Sequence, residues 1–196
     1  MYLTVVGLGN PGIQYALSRH NVGFRTLDLM ADRLAVKYRK PWFKHYLLAR
    51  AFVDTGPIPK IRDSLSLVKP LTYMNRSGAI FPGLLSKTTR DRILVVCDTL
   101  DLPSGQCRLK RKGSSAGHRG LESIIQRIGS ETFMRLYIGI GRPLDRSDTI
   151  SYVLDVPGPE QEILIASGIE AAVKGILMLL RENPERVMNV LNSKTV

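Results

Sequence analysis

Three histidines, two strand-end or loop carboxylates and two side-chain amides are the residues of this sequence best suited to chemistry. His20 and His118 sit in glycine-containing loops, where binding and catalytic groups tend to be placed. His45, between Lys44 and Tyr46 beside an expected strand, reads as surface. Asp98 follows the apolar run Arg92-Ile-Leu-Val-Val-Cys97, and Asp101 lies just beyond it. In open α/β sheets the carboxyl ends of strands open onto the ligand crevice. A carboxylate there either holds an imidazole, fixing its tautomer and balancing the imidazolium formed on proton uptake, or caps the next turn. Asn10 and Asn75 are neutral amides that can orient a water or a carbonyl without changing the local charge; each alone reads equally well as a turn residue. A side-chain nucleophile does not suggest itself. There is no G-x-S-x-G elbow, Cys97 lies in the body of a strand, and neither Cys97 nor Cys107 has metal-ligand spacing to another Cys or His. By elimination, the chemistry is a histidine-activated water attacking an activated acyl group, with no metal and no cofactor.

The elements that must hold these groups are legible from apolar spacing. Leu3 to Val6 reads as a short buried strand running into Gly7, Gly9, Pro11 and Gly12. Gly7-Leu-Gly-Asn-Pro-Gly12 matches G-x-G-x-x-G, but a dinucleotide site needs a helix starting inside the motif and an acid closing a second strand. Pro11 followed by Gly-Ile-Gln-Tyr does not start a helix, and Asp28 and Asp32 fall inside one. Val22 to Val36 has helical spacing, with Asn21 as its expected cap. Tyr46 to Asp54 and Ser64 to Val68 form an expected hairpin around Gly56-Pro-Ile-Pro59, stopped by Lys69-Pro70. A helix is expected near 76–87, interrupted by Pro82 and Gly83. The run 92–97 is apolar enough for a central strand buried on both faces. Gln106 to Lys112 alternates, with Arg108, Lys110 and Lys112 on one face. Leu121 to Ile128 reads as a helix ended by Gly129, and Arg135 to Ile140 as another strand. A long helix runs from Pro159 to Leu180, with a short terminal one after Asn183-Pro184.

At 196 residues, 44% of them hydrophobic, the chain supports one well-cored domain. We expect residues 1–196 to form a single-domain three-layer α/β/α sandwich around a mixed, mostly parallel sheet. No apolar run reaches the roughly 18 residues needed to cross a membrane. The first strand leaves no room for a signal peptide, so a cytoplasmic location is expected. Lys and Arg number 28 against 17 acids, a net charge of +11. That excess points to a polyanion, nucleic acid first.

Several stretches taken together resemble a family. Val5-Val-Gly-Leu-Gly-Asn-Pro-Gly12, Tyr15 and Arg19-His-Asn-Val-Gly23 are similar to the signature of bacterial peptidyl-tRNA hydrolase. So are Lys69-Pro-Leu-Thr-Tyr-Met-Asn-Arg-Ser-Gly78, Val96-Cys-Asp-Thr-Leu-Asp-Leu-Pro103, Gly117-His-Arg-Gly-Leu121 and Ile138-Gly-Ile-Gly-Arg-Pro143. The motifs follow one another in order along essentially the whole chain. The resemblance implies hydrolysis of the ester joining a peptide to the terminal ribose of tRNA, recycling tRNA from aborted translation. It implies His20 as general base, Asp98 as the carboxylate that holds it, and Asn10 at the position separating blocked from free aminoacyl-tRNA. Tyr15, Tyr73, Asn75 and Arg119 fall at substrate-binding positions. Arg108 and Lys110 would meet acceptor-stem phosphates, giving affinity rather than sequence readout. The resemblance implies a protein that is usually monomeric.

One position departs from the pattern. The motif around His118 usually reads Gly-His-Asn-Gly, and here Arg119 takes the third place. An amide that donates and accepts has become a cation that only donates, so substrate binding does not carry over to it unchanged. The second reading is a non-catalytic RNA-binding or RNA-processing protein on the same fold; Arg119 favours it, and the intact His20, Asp98, Asn10 and Asn75 oppose it.

Overall fold

The computed structural model describes residues 2–54, 62–86, 88–143, 145 and 148–193. Among the described residues, six strands make one sheet in the order β2-β3-β1-β4-β6-β5. They are β1 (Tyr2–Gly7), β2 (Tyr46–Asp54), β3 (Arg62–Pro70), β4 (Ile93–Thr99), β5 (Cys107–Lys112) and β6 (Thr132–Gly139). The four inner strands β3, β1, β4 and β6 run parallel, and the edges β2 and β5 run antiparallel to their neighbours. The sheet is therefore mixed and mostly parallel, as the alternation of apolar runs and helical stretches requires.

Helices cover both faces. α1 (Val22–Arg33), α5 (Pro159–Leu179) and α6 (Pro184–Asn192) bury Leu27, Met30, Ile165, Val173 and Leu191 against Val5, Leu94, Val96 and Ile138. α2 (Phe81–Leu85) and α3 (Arg119–Ile128) bury Phe81, Leu84, Leu121 and Ile124 against Val6, Val95, Cys97 and Phe133. Successive residues of β4 thus feed opposite cores, as a strand buried on both faces must. Its apolar run stops only where the strand reaches the crevice between the two helical layers. No described helix is long and apolar enough to cross a membrane.

Several local expectations need correction. The expected helix at 76–87 splits into a 3-10 segment, Met74–Ile80, and the short α2 with Pro82 in its first turn; Pro82 lacks the N–H that would continue the preceding turn. Asn21 does not cap α1 with its side chain, because that amide is used elsewhere. β3 continues through Lys69 and Pro70, and Pro70 pairs with Tyr46; proline is tolerated at this strand terminus. The alternation of β5 is interrupted by a bulge between Lys110 and Lys112. The turn at Gly56–Pro59 lies outside the described residues. A helix not read from the sequence, α4 (Thr149–Leu154), stands over the carboxyl end of the sheet.

Candidate active site

The turn after β1 is built by close approach. Leu8 N–H donates to Val96 C=O at 2.9 Å, and Phe24 N–H donates to Leu8 C=O at 3.2 Å. A Cβ on Gly23 would fall 2.4 Å from Val96 O and 2.5 Å from Leu8 N. Only glycine lets α1 start this close to two strand tips. No helix begins within Gly7–Gly12; a 3-10 turn, Ile13–Tyr15, follows instead, consistent with setting aside the dinucleotide motif.

His20 lies in a second 3-10 turn, Arg19–Asn21, that leads into α1. Its Nδ1 is 2.7 Å from Asp98 Oδ1. Asp98, 3% exposed, stands at the carboxyl tip of β4. A carboxylate only accepts, so Nδ1 carries the proton and Nε2 keeps its lone pair for the cleft. Burial alone would lower the His20 pKa, but the charge of Asp98 and its hydrogen bond outweigh burial and raise it above 6.5. For Asp98 burial pulls upward, yet the two histidines hold the carboxyl well below the usual carboxylate range.

The second histidine is His118, which the sequence singled out but did not join to the set. Its Nε2 lies 3.0 Å from the same Asp98 oxygen. Its Nδ1 accepts from the N–H groups of Gly120 at 3.1 Å and Leu121 at 3.3 Å, capping α3. That fixes the Nε2–H tautomer. The helix starts at Arg119, two residues before the expected Leu121, and this earlier start makes His118 its capping residue. His20, Asp98 and His118 offer three donor atoms within 4.8 Å of one another. With its Nε2 protonated and its Nδ1 occupied, however, His118 has no lone pair to give a metal, and the group reads as a hydrogen-bonded triad.

Asn10 is buried and doubly fixed. Its backbone N–H donates to Asn21 Oδ1 at 2.7 Å, and its C=O accepts from Asn21 Nδ2 at 3.0 Å. Its side-chain Oδ1 accepts from Met74 N–H at 2.8 Å, leaving the amide NH₂ as its remaining donor. Cys97 is fully buried and its thiol is pushed well above 9 by burial, which removes it as a nucleophile.

His20, Asp98, His118 and Asn10 line a cleft of about 720 Å³ together with Tyr15, Tyr73, Asn75 and Arg119. All seven site residues expected from the sequence border this one space. Arg108 and Lys110 do not line it; they lie on the β5 edge, with Lys110 Nζ 6.0 Å from the Tyr137 ring centre. Ile150, Val153 and Leu154 of α4 form an apolar wall that sequence reasoning missed; their i, i+3, i+4 spacing was the available signal. Arg19 ties that wall to His20: its guanidinium donates to Tyr152 O, Asp155 O and Gln161 Oε1.

A family model described as peptidyl-tRNA hydrolase matches residues 4–196. The chain belongs to the peptidyl-tRNA hydrolase family. It is 43% identical over 191 residues to the peptidyl-tRNA hydrolase of Aquifex aeolicus, covering 96% of this chain and 95% of the relative. It is 40% identical to that of Persephonella marina over the full length of both. The crystal structure of peptidyl-tRNA hydrolase from Acinetobacter baumannii superposes with a TM-score of 0.87 at 32% identity, covering 98% of this chain and 95% of that one. Peptidyl-tRNA hydrolases are ester hydrolases, so the cleft belongs to an enzyme, and nothing in these relatives supports the non-catalytic reading.

Proposed function

We propose that His20, Asp98 and Asn10 are the working groups of a peptidyl-tRNA hydrolase whose residues 1–196 form a single catalytic domain. His20 Nε2 takes a proton from a water in the cleft as the water oxygen attacks the ester carbonyl carbon. Asp98 balances the imidazolium that forms. The tetrahedral intermediate collapses, the bond to the ribose oxygen breaks, and that oxygen receives the proton from His20. The products are a free peptide carboxylate and free tRNA. The Asn10 NH₂ donates to a carbonyl oxygen or orients the water, an interaction that strengthens as negative charge develops. His118 positions Asp98 from the opposite wall. Tyr15, Tyr73, Asn75 and Arg119 bind substrate around the reacting ester, and Arg108 and Lys110 meet acceptor-stem phosphates leading to the CCA end. The enzyme works as a cytoplasmic monomer without a cofactor or metal.

The observation that carries this reading is the 2.7 Å contact between His20 Nδ1 and Asp98 Oδ1 at the floor of the cleft. The test is release of deacylated tRNA from N-acetyl-aminoacyl-tRNA. His20→Ala is expected to lower turnover by about 10²–10⁴-fold while tRNA affinity persists. Wild-type turnover in that variant would remove His20 from the mechanism.

A further inference from the structure

Two cations in the wall of the cleft are left uncompensated. The lining carries Asp98 and Asp101 against Arg76, Arg119 and Arg142. Asp98 is committed to His20 and His118, and Asp101 is ion-paired with Arg142. Among the described residues, neither Arg76 nor Arg119 has a side-chain hydrogen bond or an ion-pair partner. Both are exposed, and both stand on backbone that the catalytic groups themselves hold in place. Arg119 follows His118, whose ring is tied to Asp98 and to the first turn of α3. Arg76 lies two residues after Met74, whose N–H is held by Asn10, and its own N–H donates to Tyr73 C=O at 2.8 Å. The two walls touch at their base, since a Cβ on Gly120 would lie 2.5 Å from Met74 Sδ and Gly78 N–H donates to Ser123 Oγ at 3.0 Å. The rings of His20 and His118 are 5.0 Å apart, so the rim that carries Arg119 adjoins the imidazole that takes the proton.

We propose that Arg76 and Arg119 together bind the phosphodiester joining the last two nucleotides of the substrate's RNA end. The inference rests on the hydrolase reading, which puts the esterified ribose beside His20. The phosphate nearest that ester belongs to the same nucleotide and is present in every substrate, whereas a peptide carboxylate is present in only some. Guanidinium forks match phosphate oxygens and give stronger hydrogen bonds than neutral donors. Holding this phosphate fixes the ribose, and so presents the ester carbonyl to the water on His20; such orientation is a large part of catalysis. Arg119 supplies here a charge that an asparagine at the same place lacks.

The test uses the full chain and the trinucleotide CpCpA, with its last linkage either a charged phosphodiester or a neutral methylphosphonate. Binding is measured by calorimetry for wild type, Arg119→Gln, Arg76→Gln and the double variant. Neutralising the linkage is expected to weaken wild-type binding by about tenfold or more and the double variant by less than about twofold, with the single variants between. Equal penalties in wild type and double variant, or no penalty in wild type, would overturn the assignment. The measurement needs no turnover, so a wild type that discriminates the linkages yet hydrolyses no ester would sink the hydrolase reading and leave the phosphate site standing. A second arm compares kcat/KM for N-acetyl-glutamyl- and N-acetyl-glutaminyl-tRNA, expected to be alike in wild type. A preference for the glutamyl substrate that disappears in Arg119→Gln would move the anion to the peptide and overturn the proposal.

Discussion

His20 and Asp98 titrate against each other, and the direction of each shift sets a pH window. The His20 pKa is raised above 6.5, so its stabilising contribution is complete below that value and is lost as pH climbs through the folded-state pKa. The Asp98 pKa is depressed below 3.8, so its contribution is complete above that value and is lost as pH falls toward the folded-state pKa. The two overlap between about pH 4 and 6.5. Urea unfolding of wild type and Asp98→Asn across this range should give the largest stability difference inside the window and a smaller one on either side; a difference flat from pH 3 to 9 would show that the pair is not ionic. Asn21 tests a different link. Its amide satisfies both backbone groups of Asn10 and is 2% exposed. Asn21→Ala leaves a buried donor and a buried acceptor unpaired, at about 1–3 kcal/mol each. A loss of about 2–6 kcal/mol in unfolding free energy is expected, with turnover falling as Asn10 drifts from Met74.

At the scale of elements, the site depends on α1 pressing against the tips of β1 and β4. A methyl group on Gly23 would overlap Val96 O and Leu8 N, and backbone cannot swing aside as a flexible side chain can. Gly23→Ala is therefore expected to push α1 outward, destabilise the fold by about 1–3 kcal/mol, and lower kcat by up to about 10²-fold through misplacement of His20. Near-normal turnover with unchanged stability would show that the approach is not needed. Such dependence explains what was readable in advance. β1, β4, β6, α1, α3 and α5 announced themselves because burial on one or both faces forces apolar residues into a fixed period. Asp98 stood out because it interrupts the apolar run of β4 where the strand meets the crevice. His118 was harder: its partner is 20 residues away in sequence, and the two meet only once α3 packs on the sheet face that carries Val95 and Cys97. Asn21 read as a helix cap by type and position, yet the backbone of Asn10, 11 residues earlier, competes for the same amide and holds it. α4 is six residues long, so its i, i+3, i+4 spacing spans little more than one turn and is a weaker signal than that of the longer helices, and it is held by Arg19 and Gln161 rather than by a deep apolar face.

For the molecule as a whole, an excess of +11 makes association with a polyanion salt-dependent. If Arg108 and Lys110 each meet a phosphate, log Kd for tRNA should rise linearly with log salt, and neutralising both side chains should reduce that slope by roughly 1.5–2. An unchanged slope would place the RNA on another face. On the proposed reading, separate regions do separate work: the β5 edge would give affinity, the tips of β1 and β4 chemistry, and the facing walls of α3 and the Met74–Ile80 segment would orient the reacting end. All of it converges on one imidazole poised by one carboxylate, and the pH dependence of kcat/KM on N-acetyl-aminoacyl-tRNA tests that most directly. Wild-type activity should fall on the acid side with an apparent pKa above 6.5, because protonated His20 cannot accept a proton. Asp98→Asn should move that limb to lower pH, since the charge that raises the His20 pKa is gone, and should lower the plateau rate as well. An acid limb at the same pH in both proteins, with equal plateau rates, would contradict the assignment of His20 and Asp98 as a catalytic pair.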